Sequence, residues 1–224
     1  MAPRRRIPAR WSLYGPPSKG KPPVPRASHL VTPVFPNPSL GALFSGLLPG
    51  RDHNEDLVKA LKRLPRAGSS EQPVFAVFAA DPFMQGKYIA HRLLEKGYTR
   101  VVNWPTTAQY GAEFCAALDS VDIGPQREYE NLLQLGKLGL SVSVSVCTTD
   151  ATAEIAQLNP ELVFLTPTFD LCVEGKIGVT EQLRRCAALA DSVRGKIPVV
   201  LMAARGSVSL AEVHTAGADA LLTA

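Results

Sequence analysis

Paired cysteines, long apolar runs and acidic residues near the N-terminus are all missing from this chain, and each absence closes off a class of function. The four cysteines, Cys115, Cys147, Cys172 and Cys186, lie 32, 25 and 14 positions apart, so there is no C-x-x-C pair to bind zinc or cycle through a disulfide. They read as reduced, buried thiols. No apolar run approaches the ~18 residues of a membrane span, and the N-terminus lacks the apolar core of a secretory signal. A cytoplasmic protein with no membrane partner is expected. Import into an organelle is the alternative, because the first residues are rich in arginine, but their prolines spoil the amphipathic helix such a signal needs.

Residues 1–38 contain no acid, yet they hold ten of the 19 prolines and seven of the 24 Lys and Arg residues. The net charge is +4 overall, so removing those seven leaves 4 − 7 = −3 for the remainder. The folded part is mildly acidic and has no aromatics interleaved with Lys and Arg, which argues against a nucleic-acid partner. A stretch so rich in proline forms neither a helix nor a core, and residues 1–28 are expected to be a disordered tail preceding one domain over 29–224. At 224 residues and 46% apolar content the chain can bury one substantial core.

What is present is organised around residues 73–106 (PVFAVFAADPFMQGKYIAHRLLEKGYTRVVNWPT). Its first apolar run, 74–79, has no polar alternation, which suits a strand covered on both faces in a parallel sheet. Asp81 and Pro82 have the N-cap and N1 character that opens a helix, Gly97 ends it, and 100–103 starts a second strand. This is one βαβ unit.

The same alternation of strand and helix continues along the chain. Residues 29–35 (HLVTPVF) are a first strand interrupted by Pro33, 39–49 (SLGALFSGLLP) a short buried helical face, and 52–64 an amphipathic helix. Helices are expected over 110–118 and 128–138, the latter stopped by Gly139. Residues 140–147 (LSVSVSVC) alternate Ser with Val, the period of a strand with two different faces, one of which would point into a barrel lumen. Thr149 or Asp150 would cap a helix to Leu158, and Thr180 one to Arg194. Strands follow over 162–166, 198–203 and 218–223, with a helix over 209–216 opened by a Ser209/Glu212 capping box. About seven strands with helices between them make the fold class α/β, a TIM (β/α)8-type barrel that is nearly complete.

Six short motifs then accumulate in order. Residues 39–49 resemble a GSLAGLLP stretch, 80–83 (ADPF) a TDPF stretch and 103–106 (NWPT) an NFPT stretch, followed by 111–114 (GAEF), 139–140 (GL) and 175–178 (GKIG). Together they resemble the phosphoenolpyruvate-hydrolase-like TIM-barrel family, whose barrel also forms the C-terminal part of plant tobamovirus-resistance proteins. The resemblance implies a hydrolase or lyase-like activity on phosphoenolpyruvate-type substrates. It also implies a glycine-rich first strand before His29, a further segment after Thr223, and histidines near Thr168 and near Ala203 or Ala204. This chain has none of these, so a divergent, truncated member is expected, and an incomplete gene product is a further reading.

TIM barrels place their sites at the C-terminal ends of strands. The candidate catalytic residues are Asn103 and Thr106, which could orient a small polar ligand, together with Asp81; for each the alternative is a local cap or turn. Arg205, Gly206, Ser207 and Thr168 are candidates for binding phosphate or carboxylate, with Arg205 beside a helix start. A surface arginine is the alternative. Asp81 and Asp170, with Glu174, could hold Mg²⁺, though two loop acids with one N-cap acid are a weak metal signature and a solvated loop explains them better. His29, His53, His91 and His214 read as surface or packing residues. The expected function is action on a small phosphorylated or 2-oxo acid. The alternative is a catalytically reduced barrel that binds a small anionic metabolite or another protein, and a homo-oligomer remains open.

Overall fold

A computed structural model describes residues 12–14, 29–31, 58–59, 62, 74–78, 84–104, 106–148, 151–168, 178–193, 196–203 and 206–223. Seven of its strands are those the sequence marks out: β2 (His29–Val31), β3 (Val74–Phe78), β4 (Arg100–Asn103), β5 (Ser141–Val146), β6 (Val163–Leu165), β7 (Val199–Ala203) and β8 (Ala220–Thr223). Each pairs in parallel with the next, as in Val101↔Val142, Val144↔Val163, Leu165↔Leu201 and Leu201↔Leu221. Consecutive parallel neighbours joined by helices give the strand order of a (β/α)8-type barrel. An eighth strand, β1 (Ser12–Tyr14), lies antiparallel on β8. It corrects the expectation that residues 1–28 lack structure throughout: Ser12, Leu13 and Tyr14 are the one proline-free, uncharged run there long enough to pair. The expected helical face over 39–49 and most of 52–64 lie outside the described residues, although Val58, Lys59 and Lys62 are helical.

The helices are α1 (Gly86–Glu95), α2 (Ala112–Asp119), α3 (Pro125–Lys137), α4 (Thr152–Leu158), α5 (Val179–Ser192) and α6 (Leu210–Thr215). Several boundaries depart from the sequence expectation. α1 begins at Gly86 after Gln85, so Asp81 is not its N-cap. The expected helix over 110–118 is divided into a 3-10 turn, Thr107–Tyr110, and α2, because Gly111 takes φ +89° between them. α3 starts three residues early, since Pro125 fits the first helical position, and Gly139 follows its end at φ +96° as expected. Gly178, not Thr180, precedes α5, and Ala151 occupies the N-cap position of α4. The Ser209/Glu212 capping box forms as the spacing predicts.

Strand alternation divides the core in two. Val142, Val144 and Val146 face the helices and pack with Leu132 and Leu135 of α3 and Ile155 and Leu158 of α4. On the inner face, Val102, Phe164, Val200, Met202 and Leu222 form a second cluster, with Trp104 against it. Ser143 and Ser145 share that inner side and are fully buried. At the N-terminal ends of the strands, Arg100 Nε donates to both oxygens of Glu161 at 2.9 and 3.0 Å, and Ser141 Oγ donates to Glu161 at 2.6 Å. The Arg100–Glu161 pair is about one-third exposed, so it contributes at most about 1 kcal/mol. The outer core does more. Leu135 is 0% exposed in it, and Leu135→Ala is expected to destabilise the fold by about 2–5 kcal/mol, seen in urea denaturation as a lower midpoint with an unchanged slope.

Candidate functional site

The C-terminal ends of β4, β5 and β6 meet in a network of buried polar groups. β4 ends at Asn103, and the chain turns away at Trp104. The Asn103 amide takes over where the backbone leaves off: Oδ1 accepts from the Ser145 N–H of β5 at 2.8 Å, as a continuing β4 carbonyl would. Its Nδ2 donates to Glu128 Oε2 at 2.6 Å. Glu128, in the first turn of α3, is 1% exposed, and its Oε1 accepts from the Thr107 N–H at 2.6 Å and the Thr107 hydroxyl at 2.7 Å. Burial pushes the Glu128 carboxyl above its ordinary range, while the Thr107 and Asn103 donors pull it back down.

Thr106 caps the turn that follows. Its Oγ1 accepts from the Ala108 N–H, and Gln109 Oε1 accepts from the Thr106 N–H. Gln109 Nε2 then donates to the Pro167 carbonyl at 3.0 Å, tying the segment after β4 to the segment after β6. Asn103 and Thr106 are therefore both buried and both bonded within the protein, Asn103 across to β5 and α3 and Thr106 within its own turn.

A second group lies alongside. Thr168, 4% exposed, accepts from Arg185 of α5 at 3.1 Å. Arg185 Nε donates to Glu181 at 2.8 Å, and Arg184 donates twice to the same carboxylate. The Arg184 and then the Arg185 hydrogen bonds hold the Glu181 carboxyl down at about 2. Below Thr168, the Cys147 thiol lies 3.2 Å from the Thr166 hydroxyl, and burial pushes its pKa far up, so the thiol stays protonated and is no nucleophile. Gln182, one turn before Arg185, is 2% exposed with neither end of its amide bonded.

The other predicted residues divide as follows. Gly206 takes φ +78° and Ser207 follows it in the turn before α6. Asp81, Asp170, Glu174 and Arg205 lie outside the described residues, among which no three His, Cys, Asp or Glu residues gather as a metal site. His91 and His214 are exposed on helices, as expected. Also among the described residues, no helix is long and apolar enough to cross a membrane. A cavity of about 480 Å³ opens between the C-terminal ends of α3 and α4, lined by Leu132, Lys137, Leu158 and Glu161. It lies at the opposite end of β5 from Thr168 and shares no residue with the network.

Glu128 and Arg185 escaped the sequence reading. Glu128 carried a signal: with Tyr129, Leu132 and Leu135 it falls on the buried stripe of α3, where an ionisable group needs partners. Arg185 carried only its i,i+4 spacing from Glu181. The Glu128 environment gives a pH prediction. With its folded pKa above the unfolded value near 4.5, its contribution to stability is complete below that value and is lost as pH rises through the folded pKa. Thermal melts from pH 4 to 8 are expected to fall more steeply for the wild type than for Glu128→Gln. The variant, which meets a donor with its own NH2, is expected to lose about 1–3 kcal/mol at pH 5.

No curated protein matches the sequence. Among solved structures, the chain is similar to FabK from Thermotoga maritima at 14% identity and TM-score 0.45, covering 77% of this chain and 47% of that one. It is similar to a soluble mutant of (S)-mandelate dehydrogenase from Pseudomonas putida at 12% identity and TM-score 0.46, covering 76% and 54%. A native KDPGal structure is similar at 13% identity and TM-score 0.45, covering 86% and 78%. The chain spans about half the length of the first two. The model of the phosphoenolpyruvate hydrolase-like family matches residues 37–220, most of the sequence and the strands β3 to β7, and the chain belongs to that family.

Proposed function

We propose that this protein is a cytoplasmic barrel enzyme acting on a small phosphorylated or 2-oxo acid bound at the C-terminal ends of its strands. The observation that carries the reading is Arg185. Its guanidinium reaches the strand ends through Thr168 and is fixed there by Glu181, while its second terminal nitrogen makes no hydrogen bond to a described residue. A guanidinium with one nitrogen satisfied and the other open is suited to a carboxylate or phosphate oxygen.

In this reading Arg185 and Thr168 hold the anion, and Arg205, Gly206 and Ser207 supply a second contact from the segment after β7. Asn103 and Thr106 act as positioning residues through Glu128 and Gln109, and Asp81 is assigned to the reacting end by the ADPF resemblance alone. For a phosphoenolpyruvate-type substrate the reaction is attack of water on the ester, release of phosphate, and ketonisation of the enol to pyruvate. A second reading is favoured by the enclosure of Glu128. All three of its bonds are internal, His91 and His214 lie out on helices and His29 begins β2 at the far end of the strand, so the described groups support binding better than proton transfer. The barrel would then hold its acid without converting it.

Purified protein incubated with phosphoenolpyruvate, with and without Mg²⁺, is expected to release pyruvate and phosphate in equal amounts. Binding without release favours the second reading. Arg185→Ala is expected to weaken binding of the acid about 10-fold or more, as measured by thermal shift or calorimetry. Unchanged binding in that variant rules out Arg185 as the anion's partner.

A further inference from the structure

One wall of the lumen differs from the rest. On β5 the inward positions are Ser143, Ser145 and then Cys147 just past the strand; on β6 Phe164 stands beside Ser145, and Thr166, beside Cys147, and Thr168 follow it toward the mouth, with Arg185 above. The other buried inner positions described are apolar: Val102, Leu162, Val200, Met202, Ala220 and Leu222. Along this polar wall, Cys147, Thr166 and Thr168 have hydrogen-bond partners. The hydroxyls of Ser143 and Ser145 have none, although both residues are 0% exposed.

An unpaired buried hydroxyl is destabilising, and alanine would fill either position at nearly the same volume. Two such hydroxyls on one face, below an arginine with an open nitrogen, point to a ligand with oxygens of its own. The wall also says which kind. No cation among the described residues accompanies the serines, so the group they meet is neutral, and a hydroxyl can donate to a carbonyl or accept from an alcohol. Ser145 lies two residues below Cys147, whose carbonyl is 3.5 Å from Arg185 Nη1, and Ser143 lies two residues deeper. Each step is about 6.6 Å along the strand.

We infer that Ser145 and Ser143 are specificity-determining residues that recognise neutral oxygens of an acid whose charged end is held by Arg185, Ser145 meeting an oxygen close to the carboxylate and Ser143 one several carbons further on. The inference rests on the anion-binding reading above and adds the class of ligand: a linear acid carrying a carbonyl or hydroxyl, in preference to the same acid without one. Asn103 takes part indirectly, because its Oδ1 holds the Ser145 N–H and so fixes that residue's height in the lumen.

The test is a thermal-shift series on the full chain with matched acids: pyruvate against propionate, and 4-oxopentanoate against pentanoate. In the wild type the oxo acid of each pair is expected to give the larger shift. Ser145→Ala is expected to abolish the pyruvate–propionate difference, and Ser143→Ala to reduce only the difference in the longer pair. The free variants are expected to melt about 2–4 °C higher than the wild type, having lost an unpaired buried hydroxyl. Equal shifts for oxo and plain acids, discrimination that survives both substitutions, or lower melting of the free variants overturns the inference and leaves Arg185 as an anion site. If no acid of either kind shifts the wild type, the anion-binding reading falls and this inference falls with it.

Discussion

The mouth of this barrel depends on one buried carboxylate and the amide beside it. Glu128 is out of water, so each of its oxygens must be met by donors; Asn103 and Thr107 supply them from the end of β4 and the turn that follows. The same amide oxygen accepts from β5 at the row where β4 has already ended. The Asn103 side chain thereby joins two strands and a helix, Glu128 adds the loop at Thr107, and none of these partners can leave without exposing a buried polar atom. That is why a chain with a Trp-Pro break at a strand end keeps a defined edge there, and why Gln109 can carry the constraint on to the segment after β6.

Much of this was legible from residue order, for reasons that also explain what was not. Continuous apolar runs located β4 and β7 almost to the residue, because a strand covered on both faces leaves no ambiguity about where polar groups resume. The alternation SVSVSV predicted two unlike faces, and both exist. The box at Ser209 and Glu212 is local chemistry and needed no tertiary knowledge. By contrast, Glu128 meets residues 21 and 25 positions away, and periodicity gives the face a residue occupies but not what waits there. β1 escaped because three residues among prolines carry no pattern of their own; their pairing is supplied by the exposed edge of β8.

Charge at the mouth is arranged with the same economy. Glu181 is bonded to both Arg184 and Arg185, so two guanidinium groups share one carboxylate and the trio retains a net charge of +1. The carboxylate orients Arg185 without cancelling the pair. Because Arg184 is more than two-thirds exposed, water screens its share, and the field felt at Thr168 comes chiefly from Arg185. Among the described residues the strand ends therefore present one oriented guanidinium rather than a diffuse basic patch, in keeping with the mildly acidic balance of the folded part.

Membership of a phosphoenolpyruvate hydrolase-like family leaves open whether this barrel keeps its chemistry, and the hydrogen-bond inventory bears on that. Among the described residues, the groups at the strand ends that titrate are each tied down: Glu181 by two arginines, Glu128 by three donors, Cys147 by burial. What remains free among the described residues is of another kind, an open guanidinium nitrogen and two hydroxyls, which on the proposed reading would select a ligand by charge and by oxygen position but move no proton at neutral pH. A wall that leaves serine hydroxyls unpaired lowers the stability of the empty protein. Such a feature persists where something is gained on binding, since a site built to bond an oxygen rejects the analogue lacking it far more strongly than an apolar pocket could. On the proposed reading, recognition of the acid rests on β5, β6 and α5, independently of which residue, if any, completes the reaction.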